Sequence, residues 1–377
     1  MRTALHDVDT SAVRELVGWR GDPVVTSVYL DVDGSHRPVA GDYEQVFHEL
    51  AAEARRQARA RGDDEIVRCV DRDLEAMSAW VNRGIDRSTT RGVALFSCQT
   101  QGRFEAVGLP VSVRDEAGVG PGPRIRQLVE AHQELEAFLV ALVDRTHLRL
   151  LMMLGRETHE LAGTVSDKER SADTSVEIGS FERRVEEAFR AHVRRSAAEL
   201  DQAVRDSKVG LVIVGGPDDA LAELERRVHP TTRALMIGRV GVRVAASIEE
   251  IARAAHAVAD RVERDREAAL VEDLRQRAAG VHGGVVGLEA TLSALAERRV
   301  GVLLVAEGFA APGARCPSCG HVGLDVRLCP VCGTTNVEID DVVEVTIEEA
   351  VAQGATVESC RGTELDRFGG IGAIERY

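Results

Sequence analysis

Four cysteines in the C-terminal third of the chain have the residue type and the spacing of a metal site. They form two Cys-x-x-Cys pairs separated by nine residues, namely Cys316, Cys319, Cys329 and Cys332. A glycine follows each pair, and a tight turn at that point lets two thiolates converge on one ion. Four thiolates complete a tetrahedral zinc shell and leave no position for water, so the spacing predicts a structural Zn²⁺ ion rather than a catalytic one. We interpret the neighbouring His321 as a surface residue.

Other uses of the cysteines are less consistent with their arrangement. A single Cys-x-x-Cys pair would suit a thioredoxin-like redox site or a regulatory disulfide, whereas two pairs around a short polar stretch favour a zinc ribbon. We place this ribbon at residues 314–335. The remaining three of the seven cysteines are scattered, which is unlike a secreted disulfide framework.

The elements around these cysteines alternate between apolar runs and helical segments, which predicts an α/β fold. Two glycine-rich joints, at 118–123 and 280–284, divide the chain into three predicted α/β domains, the last with the inserted zinc ribbon. The domains are an N-terminal one at 1–122, a central one at 135–279 and a C-terminal one at 281–377. Because the first joint is rich in glycine and proline, we expect neither helix nor strand to cross it.

Periodicity places the individual elements. Buried strands are predicted at 24–31, 92–96, 138–144, 148–153, 209–214 and 300–305. Helical segments are predicted at 43–82, 181–204 and 287–297, and one or two helices at 248–279. The sequence 215–217 follows a strand but lacks the pattern of a phosphate-binding loop, so it predicts a turn.

Overall charge and the absence of long apolar runs exclude several classes of protein. The 377 residues include 62 acidic and 47 basic side chains, for a formal net charge of -15, which argues against coating nucleic acid through overall charge. Residues 1–20 contain no apolar run, and nowhere do 18 apolar residues follow one another. We therefore expect neither a signal peptide nor a membrane-spanning helix, and a cytoplasmic protein that binds neither membranes nor DNA.

The predicted helix from Phe181, with Ser180 as its N-cap, groups arginines on one side. At about 100° per residue, five of them fall on or beside one face, namely Arg183, Arg184, Arg190, Arg194 and Arg195. Such a face can bind the backbone phosphates of RNA. The alternative is a solvated helix face, since Glu186 and Glu187 can pair with these arginines at helical spacing. The arginine-rich run at 55–61 has the same two interpretations.

The order of features in the last domain resembles a known family. Residues 287–295, the strand 300–305, the cysteine pairs and the C-terminal string Gly-Gly-Ile-Gly-Ala-Ile-Glu-Arg-Tyr at 369–377 resemble the third domain of archaeal and eukaryotic class-I release factors and of pelota, especially their bacterial relatives. The central domain, including 211–217, resembles that of the same family. The resemblance implies a scaffold that mimics tRNA in the ribosomal A site, with rRNA as a partner. A translational GTPase, which delivers relatives, is a candidate partner.

The motifs that perform chemistry in that family are missing here. Its central domain uses a Gly-Gly-Gln loop to position water on the peptidyl-tRNA ester, but the corresponding stretch 166–184 has one glycine and no glutamine. Gly179 and Ser180 mark this degenerate loop. No NIKS-like or YxCxxxF-like stop-codon motif occurs in the first domain. The resemblance therefore implies a ribosome-binding factor like the Balon group, acting in hibernation or rescue, and we assign no catalytic residue.

Two other functions stay open at this point. The protein could be a peptidyl-tRNA hydrolase that uses an unfamiliar residue within 175–184, or a scaffold whose zinc ribbon docks a protein partner. Three histidines lack a serine or cysteine partner at a recognisable spacing, namely His147, His159 and His192. We interpret them as structural or solvent-facing residues.

Overall fold

The computed structural model describes residues 10–19, 24–134, 137–155, 157–165, 178–280, 283–325, 327–362 and 364–376. The chain forms two compact units, one made of Met1–Glu134 with Glu267–Tyr377 and the other of Leu135–Arg266. Both contain β-sheets covered by helices, so the predicted α/β class is confirmed. Among the described helices, none combines the length and the apolar character needed to cross a bilayer.

The first part of the larger unit is an antiparallel sheet with helices on its faces. Its elements are α1 (Thr10–Val17), β1 (Val25–Asp31), α2 (Ala40–Ala60), α3 (Asp64–Val81), β2 (Gly92–Cys98), β3 (Arg103–Leu109), β4 (Glu116–Gly120) and α4 (Arg126–Glu134). The strand order is β3-β2-β1-β4. Helices α2 and α3 pack on one face through Phe47 and Leu74, which lie in one core cluster with Val28 and Leu30 of β1.

Strand β4 enters the glycine-rich joint at 118–123 and ends inside it at Gly120, and α4 begins only at Arg126, so no element crosses the joint. In β4, Gly118 pairs with Ser27 of β1. A Cβ atom on Gly118 would clash with the side chain of Arg124. The glycine is thus explained by the space that Arg124 occupies over the strand, and not by a break in the sheet.

The smaller unit is a mixed sheet between two long helices. Its elements are β5 (Phe138–Val143), β6 (His147–Leu154), β7 (Glu157–Val165), α5 (Ile178–Ser207), β8 (Val212–Gly215), α6 (Asp218–Arg227), α7 (Pro230–Leu235), β9 (Gly238–Val240) and the first half of α8 (Ile248–Ala279). The strand order is β7-β6-β5-β8-β9, with β5, β8 and β9 parallel. Helix α5 packs on one face through Val193 and Leu200, and α8 packs on the other through Ile251 and Ala255.

Helix α5 begins earlier than the sequence indicates. It starts at Ile178, so Gly179 and Ser180 lie in its first turn, and Ser180 is not an N-cap. Five apolar side chains spaced three or four residues apart along α5 are buried, namely Phe189, Val193, Ala197, Leu200 and Val204. Residues 166–177, which contain most of the predicted degenerate loop, lie outside the described part of the chain.

The second part of the larger unit is another mixed sheet, with a small ribbon inserted. Its elements are β10 (Gly284–Val286), α9 (Leu288–Ala296), β11 (Val300–Ala306), β12 (Gly313–Arg315), β13 (Val322–Gly323), β14 (Val337–Ile339), α10 (Val342–Ala352), β15 (Thr356–Cys360) and β16 (Ile371–Glu375). The main sheet has the order β10-β16-β11-β15, so the C-terminal glycine-rich string supplies a central strand. Strands β13-β12-β14 form the ribbon, residues 313–339, which carries the cysteines.

The two four-stranded sheets of the larger unit share one hydrophobic core. Tyr29 and Phe96 from the first sheet lie in the same buried cluster as Leu303 of β11 and Ile347 of α10, with Leu128 of α4 among them. The predicted segments 1–122 and 281–377 therefore contribute to a common compact unit. The three-domain division stays a prediction.

Candidate metal centre and arginine face

The ribbon brings the four predicted cysteines together. Their sulfur atoms all lie within 4.8 Å of one another, with Cys316 Sγ 3.4 Å from Cys332 Sγ and Cys319 Sγ 3.5 Å from Cys329 Sγ. Cys316 and Cys329 are buried, whereas Cys319 and Cys332 are exposed. Four sulfur donors at these separations are compatible with a metal site.

Both cysteine pairs adopt the same turn, which explains how the sulfurs converge. The N–H of Gly320 donates to the carbonyl of Cys316 at 3.0 Å, and the N–H of Gly333 donates to the carbonyl of Cys329 at 2.9 Å. Both glycines have a left-handed φ, 76° and 74°, which is strained for other residues. The glycine after each pair is therefore required by the turn, as the spacing predicts.

The thiols in this cluster have strongly perturbed proton affinities. Hydrogen bonds with the side chain and backbone of Thr334 lower the pKa of the Cys332 thiol to about 6. The N–H of His321 favours the thiolate of Cys319, but desolvation and the other three sulfur atoms together raise its pKa to about 12. Four sulfurs this close compete for protons, and a bound cation would replace those protons. His321 is not one of the clustered ligands.

All five predicted RNA-contacting arginines are exposed along α5. They are Arg183, Arg184, Arg190, Arg194 and Arg195. Arg190 pairs with Glu186 at 3.1 Å between Nε and Oε1, as a solvated helix face would. For Arg194 and Arg195, the described part of the chain holds no ion-pair partner within 4 Å. These two are the arginines of the face that are best placed to contact an external phosphate.

The basic run at 55–61 is largely engaged within the protein. Arg55 Nε donates to Asp71 Oδ1 at 2.7 Å, and Arg56 pairs with Glu53. The guanidinium of Arg61 donates to the carbonyl of Val119, and burial lowers its pKa. These contacts favour a structural role for this run.

The three histidines occupy structural or solvent-facing positions, as predicted. The side chains of His147 and His159 are 47% and 59% exposed. His192 on α5 is buried, and within the described residues neither ring nitrogen has a hydrogen-bond partner. Desolvation is the largest cause of its lowered pKa.

The sequence 215–217 forms a turn, as predicted. Gly216 has a φ of 142°, and a Cβ atom there would clash with the carbonyl oxygen of Val143. Pro217 immediately precedes α6. Glycine is therefore explained at position 216 by the close approach of β5 to the end of β8.

Sequence reasoning missed two arrangements because each joins residues far apart in the chain. One is a groove between α9 and the ribbon. The other is a buried carboxylate, Glu344 of α10, whose Oε1 accepts hydrogen bonds from the backbone N–H groups of Ile125 and Arg126 at the start of α4. No local pattern signals either of them.

The central part of the chain matches a family of bacterial proteins related to the archaeal and eukaryotic release factors. The matching model is that of baeRF family 10, the bacterial archaeo-eukaryotic release factor family 10, and the match spans residues 123–260. This match confirms the predicted resemblance to the release-factor and pelota family. No curated protein matches the chain.

Several solved structures resemble the chain at low sequence identity. Pelota from Archaeoglobus fulgidus is 16% identical, over 76% of this chain and 79% of that one, with a TM-score of 0.35. Dom34 from S. cerevisiae, a translation termination-like factor, is 10% identical over 76% and 80%, with a TM-score of 0.40. The C-terminal domain of a peptide chain release factor from Methanosarcina mazei is 23% identical over 36% and 98%, with a TM-score of 0.26. Because these whole-chain similarities are low, the match at residues 123–260 is the comparison that supports the resemblance.

Proposed function

We propose that this protein is a cytoplasmic, ribosome-binding translation factor that occupies the A site in hibernation or rescue. The observation that carries the proposal is the match of residues 123–260 to a release-factor family. That segment includes the β5–β8 sheet and helix α5 with its arginine face. A translational GTPase is a candidate partner for delivery to the ribosome.

Binding is proposed to use the exposed arginines of α5. Guanidinium groups contact backbone phosphates without reading sequence, and the affinity of such contacts falls as salt rises. A net charge of -15 does not oppose this, because charges farther apart than about 8 Å are largely screened at physiological ionic strength. Arg194 and Arg195 are expected to contribute most, since Arg190 is already paired with Glu186.

The proposed factor does not hydrolyse peptidyl-tRNA by the means that its relatives use. The sequence contains no Gly-Gly-Gln triplet anywhere. A loop that positions water beside the ester needs adjacent glycines for close backbone approach and the glutamine for its amide. A factor that occupied the A site without this loop would block the site. Such a block is consistent with a role in hibernation or rescue.

The cysteine cluster is proposed to hold a structural Zn²⁺ ion. Four sulfur donors suit zinc, and a closed four-sulfur shell has no open position for substrate. In this role, the ion would tie the two knuckles of the ribbon together and contribute to folding, without taking part in a reaction.

Co-sedimentation with purified 70S ribosomes tests the proposal. We expect the protein to pellet with ribosomes at low salt and to be released as salt rises. The double variant Arg194→Glu/Arg195→Glu should bind about tenfold more weakly. The matched control is Arg233→Glu/Arg243→Glu, which makes the same charge change at two exposed arginines outside α5 and should bind almost normally. Failure of the unmodified protein to pellet under any of these conditions would contradict ribosome binding.

A peptide-release assay separates this function from its enzymatic alternative. Ribosomes carrying labelled peptidyl-tRNA should retain their peptide when the protein is added. Release of peptide would instead indicate a hydrolase that uses an unfamiliar residue.

A further inference from the structure

A groove of about 310 Å³ lies between helix α9 and the ribbon, and none of the four cysteines lines it. Leu292 and Ala296 of α9 form one wall, and Val322 and Leu324 of the ribbon form the other. These walls are apolar, so the groove offers a place for an apolar side chain to leave water.

The charges that line the groove have one sign. Glu289, Glu297 and Asp325 line it, and neither arginine nor lysine occurs among the described residues that do so. Glu297 forms an ion pair with Arg299, with 2.7 Å between Oε2 and Nε. The described residues hold no ion-pair partner for Glu289. Carboxylates repel phosphates and attract cationic side chains, so this charge favours a basic protein segment over RNA.

A buried acceptor without a donor points to the same kind of occupant. Asn336 also lines the groove and is 8% exposed. Its Nδ2 donates to the carbonyl of Asp325 at 2.7 Å, but its Oδ1 has no hydrogen-bond partner among the described residues. A buried oxygen without a donor is unfavourable, and an N–H group brought by a partner would satisfy it.

Apolar side chains on the ribbon extend beyond the groove into solvent. Half of the large hydrophobic residues that are exposed in the described chain belong to the ribbon, namely Leu324, Leu328, Val331 and Val337. Leu324 and the neighbour of Val331, Pro330, line the groove itself. Clustered exposed apolar groups of this kind mark protein interaction sites.

We propose that this groove docks a basic segment of a partner protein. An apolar side chain of that segment lies between α9 and Leu324, and its flanking lysine or arginine side chains face Glu289 and Asp325. The protein would then have two surfaces of opposite chemistry, arginines on α5 for RNA and this groove for protein. The inference does not depend on ribosome binding.

Fluorescence anisotropy with the full-length protein and defined peptides tests the proposal. The probe is a labelled peptide, Gly-Lys-Arg-Leu-Lys-Leu-Arg-Lys-Gly. Two control peptides replace its leucines by serine or its basic residues by glutamate. We expect saturable binding of the probe, weaker binding of the serine peptide and none of the glutamate peptide.

A pair of matched variants distinguishes the groove from the general acidity of the chain. Glu289→Arg/Leu324→Ser changes the groove, and Glu75→Arg/Val39→Ser makes the same charge change at an exposed glutamate of α3 and a similar apolar-to-serine change at an exposed valine before α2. We expect the groove variant to bind the probe about tenfold more weakly, since it reverses one charge that faces the basic side chains and removes one apolar contact. The control should change binding less than about twofold.

Three outcomes would overturn the proposal. They are absence of saturable binding, equal losses in the two variants, and displacement of the probe from the groove by a single-stranded RNA oligonucleotide. Equal thermal midpoints of both variants would show that neither substitution unfolds the ribbon. Co-sedimentation of the groove variant with ribosomes reports separately on the proposed function.

Discussion

The carboxylate of Glu344 accepts a hydrogen bond from the backbone N–H of Arg126 at 3.0 Å, although 218 positions separate the two residues. It also accepts one from Ile125, so a side chain of α10 satisfies two N–H groups at the start of α4. Desolvation is the main reason why the pKa of Glu344 is raised to about 7, and the nearby charges of Glu116 and Asp341 add to it. This contact joins the N-terminal and C-terminal segments of one unit.

The raised pKa of Glu344 predicts that stability depends on pH. The folded state keeps a proton up to about pH 7, whereas the unfolded carboxyl loses it near its ordinary value of 4.5. The free energy of unfolding should therefore fall as pH rises from about 4.5 to about 7 and should not recover above that. We expect Glu344→Gln to match the wild type at pH 5 and to be more stable by about 2 kcal/mol at pH 8.

Denaturant unfolding at both pH values measures this effect. The difference between the two proteins isolates Glu344, because the other titrating groups are common to both. An exposed substitution, Glu75→Gln, should leave the pH dependence unchanged. Parallel pH profiles for Glu344→Gln and the wild type would contradict the prediction.

The guanidinium of Arg126 is predicted to be important for stability of the same unit. Its Nη1 donates to the carbonyl of Phe309 at 2.6 Å, and its Nη2 donates to the carbonyl of Ala306 at 3.1 Å. Lysine cannot serve both carbonyls with a fixed fork, so Arg126→Lys should lower the free energy of unfolding by about 2 kcal/mol. Arg367→Lys, at an exposed arginine paired with Glu364, is the matched control and should have no measurable effect on unfolding. Equal stability of the two variants would show that the two hydrogen bonds of the Arg126 guanidinium do not contribute to the free energy of unfolding.

Buried His192 predicts a loss of stability in acid. Its folded pKa is lowered from 6.5, chiefly by desolvation, so the unfolded state binds a proton more readily. The contribution of His192 to the free energy of unfolding is therefore complete above about pH 6.5 and is lost as pH falls below that value. We expect His192→Leu to reduce the drop in thermal midpoint between pH 7.5 and pH 5, and the exposed His159→Leu to leave that drop as it is. An unchanged drop in the His192 variant would mean that the imidazole titrates freely.

Removal of one cysteine ligand should release the metal and destabilise the ribbon. We expect Cys316→Ser or Cys329→Ser to lower both the zinc content and the thermal midpoint, because a structural zinc site contributes directly to folding. Elemental analysis and thermal melts with and without chelator measure this. Cys69→Ser, at a buried cysteine of α3 outside the cluster, should keep its zinc. A full zinc content in the Cys316 variant would contradict a four-sulfur site.

The elements that could be predicted from sequence are those with strong local patterns. The apolar runs at β1, β2, β5, β6 and β11 are strands, and the amphipathic stretches at α5, α8 and α9 are helices. Strand β7, Glu157–Val165, was not predicted, because it is a polar edge strand that depends on its pairing with β6. The C-terminal string was recognisable as a motif, but its place at the centre of a sheet depends on β10 and β11.

The candidate sites were likewise predictable only where their residues lie close together in the sequence. The four cysteines were predictable because ligand spacing and the glycine turns are local properties of the sequence. The cap that Glu344 provides and the groove beside α9 each join residues that are distant in the chain, so no window of sequence contains them. Gly118 belongs to β4, where its small size accommodates Arg124, which only the packed structure reveals.

A cryo-EM map of the protein bound to its 70S ribosome tests the central claim most directly. We expect density for the chain in the A site, with Arg194 and Arg195 of α5 against rRNA phosphates and with peptidyl-tRNA, if present, still intact. Density for the chain outside the A site, or an A site that stays empty at saturating protein, would contradict it.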